Sequence, residues 1–258
     1  MTSLPRAADP QELQRNMLSI VLNRRQLCDF ELLANGAFKP LTGFMGKSDY
    51  DRVLAESRLV SNMLWPIPVV LAISRDTSEK IGFGDRVALC DAEGFMLGSL
   101  CVTDLWVPDL QAEAEAIYGT TSLQHPGVRI LLQETGPIYV GGPVELVELP
   151  IHYDFASLRR APADLRQELL RMDWNSTIAF HTSKTPHRLE HDLIIEVAES
   201  HGSPVLLRPI VGVTEPGNLE YFTRVQCCQA IVRHLPPNMA AISLLPMAMR
   251  MAGPRETL

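Results

Sequence analysis

The chain has 258 residues, 46% of them hydrophobic and 21% charged, and a formal net charge of −7 at pH 7. This is the composition of a folded chain with one large or two smaller domains, and it excludes a largely disordered one. The acidic balance gives no support to a nucleic-acid surface, yet one local basic pocket would suffice for a small anionic substrate.

Met1 to Gln11 contains Arg6 but no apolar run, so no secretory signal is expected, and no stretch reaches membrane-spanning length. In chain order, Asp49 to Ala55 reads as a short helix. Pro66 to Ile73 is a short apolar, β-branched run, followed by Arg86 to Cys90 and Gly98 to Thr103. Gly82, Gly84, Gly94 and Gly98 punctuate these runs, which predicts antiparallel strands joined by tight turns. Gln111 to Tyr118 reads as a second short helix, and Pro137 to Leu149 as a strand broken by a turn or bulge at Gly141-Gly142.

The pattern changes after about Pro150. Pro162 to Met172 predicts a helix with Leu165, Leu169 and Leu170 on one face. Ser176 to His181, Pro204 to Val211 and Ala240 to Leu245 predict strands, separated by helices from about Pro186 to Ser200 and Asn218 to His234. That alternation predicts parallel strands with crossover helices. We therefore expect a β-rich domain over residues 1–150 and an α/β domain over 151–258. Three strands leave such a sheet thin and open-edged, so we expect either an excerpt of a longer protein, the favoured reading, or a partner that completes the sheet. Cys28, Cys90, Cys101, Cys227 and Cys228 show no metal-ligand spacing and read as reduced core thiols of a cytoplasmic protein.

Phe180 to Asp192 (FHTSKTPHRLEHD) carries the most chemistry: three His, one Lys and one Arg in thirteen residues of an acidic chain. It leaves a predicted parallel strand and opens a helix, the place where open α/β sheets bind ligands. Thr185 suits the N-cap and Pro186 the first helical position, so free N–H groups there would favour an anion. Lys184 lies just before, and His187 and His191 share a helix face. The alternative is a solvated basic helix start with surface histidines. His187 to His191 also spells the zinc-peptidase pattern H-x-x-E-H, but at an extreme helix start and alone, so no zinc is expected. Gly46-Lys47-Ser48 lacks the earlier glycine of a phosphate loop, because Leu41 stands there.

Several stretches resemble ATP sulfurylase (sulfate adenylyltransferase). They are Asp29 to Met45 (DFELLANGAFKPLTGFM), Trp65 to Leu71 (WPIPVVL), Tyr118 to Thr121 (YGTT), His125 to Val128 (HPGV) and Tyr139 to Glu145 (YVGGPVE). Val211 to Asn218 (VGVTEPGN), Thr223 to Gln229 (TRVQCCQ) and Met247 to Glu256 (MAMRMAGPRE) follow in the same order. The resemblance implies a PUA-like domain, then an incomplete Rossmann-like nucleotidyltransferase domain. It implies formation of adenylyl sulfate and pyrophosphate from ATP and sulfate with Mg²⁺, in a homo-oligomer serving sulfate assimilation. Some family members are fused to an adenylyl-sulfate kinase.

Carried onto this chain, the resemblance gives Thr182, Lys184, His187 and His191 catalytic roles. His181, Ser183, Thr185 and Arg250 become nucleotide- or anion-binding residues, with no metal held by the protein. The family motif Q-x-R-N-P-x-H-x-x-H is altered here. Without a gap, His181 takes the Gln position, Ser183 and Lys184 the Arg-Asn pair, and Glu190 the second His. A gap before Pro186 recovers Pro186 and His191 but puts Arg188 at the first His. The later family segment G-R-D-H-A-G is absent, as is a phosphate loop. The expectation is an inefficient or inactive sulfurylase site, the alternative a non-catalytic scaffold or oligomerisation region for a fused kinase.

Overall fold

The computed structural model describes residues 17–214 and 220–257. The chain divides into two compact units. The first holds residues 1–34, 38–150 and 250–258, the second residues 35–37 and 151–249. The stretch from Arg250 groups with the first unit. Arg250 ion-pairs with Asp29, and Arg255 donates hydrogen bonds to the carbonyls of Val53, Leu54 and Pro66.

The first unit is a PUA-like, curled β-sheet with short helices around it. Its strands are β1 (Leu18–Val21), β2 (Gly43–Phe44), β3 (Leu71–Ile73), β4 (Arg86–Cys90), β5 (Met96–Cys101), β6 (Asp104–Trp106) and β7 (Ile138–Leu146). Its helices are α1 (Arg24–Ala34), α2 (Lys47–Glu56), α3 (Arg75–Ser78), α4 (Leu110–Tyr118) and α5 (Pro126–Gln133). β4 and β5 form the predicted antiparallel hairpin, with Gly94 at φ +88° in its turn. β1 runs parallel to β4 at one edge. β7 pairs antiparallel with β2, β3, β5 and β6.

The Gly-Gly pair corrects an expectation. Gly141 and Gly142 lie inside β7 rather than at a turn. A Cβ on Gly141 would come within 2.4 Å of the Met45 carbonyl oxygen, and one on Gly142 within 1.9 Å of that of Cys101. The pair is needed where neighbouring backbones approach β7 closely. Phe30, Val53, Leu71, Leu89, Leu100 and Val140 fill the core of this unit. Beside it, Glu113 is buried and accepts hydrogen bonds from the Tyr50 and Tyr139 hydroxyls, each at 2.9 Å. Burial raises the Glu113 carboxyl above its ordinary range, against the pull of those two donors.

The second unit carries α6 (Pro162–Arg171), β8 (Ile178–Thr182), α7 (Arg188–His201), β9 (Val205–Pro209), α8 (Tyr221–His234) and β10 (Ala240–Ile242). The predicted start of the last helix at Asn218 lies outside the described residues. The three strands form one parallel sheet in the order β10-β9-β8. β8 leads through α7 to β9, which leads through α8 to β10, as the alternating pattern predicts. Ile194 and Ala198 of α7 and Val225 and Cys228 of α8 pack with Val205, Leu207 and Ile242; Ile178 and Phe180 join this core. One face of the sheet is therefore helix-covered, and residues alternate between the two faces.

Candidate functional site

β8 ends at Thr182, and residues 183–187 form the link to α7. This loop is tied at its start. The Thr182 hydroxyl donates to the Lys184 carbonyl at 2.9 Å, and the Lys184 N–H donates to the Thr182 Oγ1 at 3.2 Å. Thr182 thus fixes the path that presents the exposed Lys184 side chain. Ser183 is half-buried beside it.

α7 starts two residues later than the sequence predicts. His187, not Thr185, is the N-cap, and Pro186 precedes it and is buried. The reason is Glu190, the third helical residue, whose Oε2 accepts the His187 N–H at 2.9 Å. That bond holds the Glu190 carboxyl below its ordinary value. The Thr185 hydroxyl is buried without a hydrogen bond. His191 lies one turn into the helix, its Nδ1 3.0 Å from Asp192 Oδ1. His181, Thr182, Ser183, Lys184, Thr185, His187 and His191 therefore all belong to one strand end, loop and helix start. Among the described residues, no group of three or more His, Cys, Asp or Glu side chains is placed to hold a metal ion.

Arg250 belongs to the first unit. Its Nη2 pairs with Asp29, while its Nη1 is buried without a hydrogen bond. It lines a cavity of about 80 Å³ together with Arg25, Asp29, Glu113, Tyr118 and other residues of that unit. This placement gives Arg250 the work of compensating a buried carboxylate.

The sequence reading missed Arg208. It stands in β9 in register with His181 of β8. Burial first, and Arg208 second, hold His181 below the ordinary histidine value. The available signal was an arginine inside the apolar run Pro204 to Val211, three residues before the end of that predicted parallel strand.

Comparison with known proteins gives this geometry its context. Residues 2–149 match the family model for a PUA-like domain, and residues 156–258 match that for ATP-sulfurylase. The chain belongs to the ATP-sulfurylase family. It is 41% identical over 235 residues to a sulfate adenylyltransferase of Eremothecium gossypii, covering 91% of this chain and 47% of that protein. It is 42% identical over 241 residues to one of Schizosaccharomyces pombe, covering 93% and 49%. The chain spans about half the length of the curated relatives it matches. A solved structure described as a hexameric APS kinase from Thiobacillus denitrificans is 29% identical, with a TM-score of 0.79. That match covers 96% of this chain and 46% of the other. No helix among the described residues is long and apolar enough to cross a membrane.

Proposed function

We propose that this chain is the sulfate-adenylyltransferase-type region of a cytoplasmic sulfate-activating protein, binding ATP and sulfate, or adenylyl sulfate and pyrophosphate, at the start of α7. The observation that carries the reading is the placement of Lys184 and the N-terminus of α7 at the carboxyl end of a parallel strand, in a chain of this family. Backbone N–H groups at a helix start and a nearby ammonium favour a phosphate or sulfate group. Thr182 holds the loop, Ser183 and Thr185 offer hydroxyls, and His187 and His191 offer imidazoles to the same anion. Mg²⁺ would enter on the nucleotide, since it favours substrate phosphates and retained waters over an all-protein cage.

Transfer of the adenylyl group needs sulfate held in line with the α-phosphorus and the charge of the departing pyrophosphate neutralised. Lys184 supplies charge at one point, where an arginine would grip an oxyanion at two. The altered loop therefore supports binding better than turnover. A scaffold reading also has an observation behind it: nearly the whole chain overlaps about half of a protein described as a hexameric kinase. In that reading this region assembles as a homo-oligomer and carries an adenylyl-sulfate kinase fused elsewhere.

Titration of pyrophosphate or ATP against the protein and its Lys184→Ala variant tests the site. Removing one charge-assisted donor should weaken binding about tenfold. Equal affinity of the two proteins would take Lys184 out of the site.

A further inference from the structure

We propose that Arg208 is an anion-binding residue of this same site, its guanidinium closing on a phosphate or pyrophosphate oxygen opposite Lys184. The proposal rests on the reading of the β8–α7 loop as the site. It adds the guanidinium that Ser183 and Lys184 do not provide.

The strand register places the residue. His181 pairs with Arg208, and Phe180 with Leu207. Phe180 and Leu207 belong to the core under α7 and α8, so alternation puts His181 and Arg208 together on the other face of the sheet. Neighbouring strands are ~4.8 Å apart, which makes these two side chains neighbours. Both stand one residue before the ends of their strands, at the carboxyl edge where open α/β sheets take ligands.

The charge environment gives a second, independent reason. Arg208 is partly buried, and its Nε is buried with no hydrogen-bond partner. Its positive charge is opposed by burial, with no acidic group offsetting that effect. A cation withdrawn from water is ordinarily matched by a carboxylate, as Arg159 is by Asp154 and Arg160 by Glu168 in this unit. Arg208 has no such match among the described residues. An arriving anion would supply it, and the planar fork suits two oxygens of one phosphate group.

Two measurements test this. Pyrophosphate is titrated calorimetrically into the full chain, Lys184→Ala, Arg208→Lys and Arg208→Met. Arg208→Met should bind at least about tenfold more weakly, and Arg208→Lys should fall between it and the unaltered protein. If Arg208→Met binds as the unaltered protein does while Lys184→Ala does not, Arg208 is excluded and the site reading stands. If the unaltered protein does not bind pyrophosphate, both fail. The second measurement needs no variant and so does not depend on variant folding. The His181 imidazole is titrated by NMR with and without saturating pyrophosphate. An anion on Arg208 removes its repulsion of the imidazolium, so the His181 pKa should rise on binding. No rise with pyrophosphate bound would overturn the assignment.

Discussion

Asp29 and Arg250 lie 221 residues apart in sequence and form a buried ion pair in the first unit. Such a pair contributes little net stability against an apolar isostere, but removing one partner strands the other charge away from water. Asp29→Ala should therefore destabilise the protein by about 3–5 kcal/mol, read from the urea midpoint, because Arg250 already has one unpartnered nitrogen. A loss under ~1 kcal/mol would mean that water reaches the guanidinium. His181 shows the reverse situation. Its folded pKa lies below the unfolded value of ~6.5, so the unfolded chain takes up the proton first. Its contribution is present above that pH and lost as pH falls through the folded value.

At the scale of elements, α7 depends on Glu190. Its bond to the His187 N–H satisfies a free donor, and its charge faces the positive end of the helix. Glu190→Ala should lower the melting temperature, while Glu190→Gln should retain part of the cap. An unchanged melting temperature in both variants would show that residues 183–190 are not ordered as described. This helix start also shows where sequence reading reaches its limit. Thr185-Pro186 is a strong local signal, but the Glu190 bond sets the first turn at His187. β4, β5 and β7 were legible because apolar, β-branched runs between glycines specify strands locally. β1, β2 and β6 were not, because strands of two to four residues are defined by their partners. α1 was missed although its signal is present. Asn23 Oδ1 accepts the Gln26 N–H at 2.9 Å and Gln26 Oε1 accepts the Asn23 N–H at 3.0 Å, a reciprocal cap ahead of buried Phe30 and Leu33. In the site, loop residues near one another in sequence could be assembled by reading along the chain. Arg208 could not, because only the β8–β9 register brings it beside His181.

At the scale of the whole molecule, a PUA-like region is followed by an ATP-sulfurylase region, and under the proposed function the β8–α7 loop decides how much chemistry the chain supports. Sulfate is a poor nucleophile, so the rate depends on holding it in line and neutralising two anions together. Loss of a single preorganised donor typically costs on the order of 10²–10³ in rate. In the proposed site, Lys184 would offer a flexible ammonium, where an arginine would grip an oxyanion at two points. Arg208 can restore charge from the neighbouring strand, but a donor on a different element holds the anion at a different angle. Binding should therefore survive better than turnover. Sulfate-dependent pyrophosphate release, or ATP formation from adenylyl sulfate and pyrophosphate, should be very slow or absent in the full-length natural protein. Turnover near ~10 s⁻¹, the median for enzymes, would overturn this and make the altered loop a working variant of the site. The double substitution Ser183→Arg with Lys184→Asn separates the causes. A gain in rate with little change in KM would show that the missing grip acts in the transition state. No gain would locate the defect in the histidines around Glu190 or in the loop path that Thr182 and Pro186 impose. A gain abolished by adding Arg208→Met would show that the two guanidiniums act on one anion, since effects within one contact network do not add.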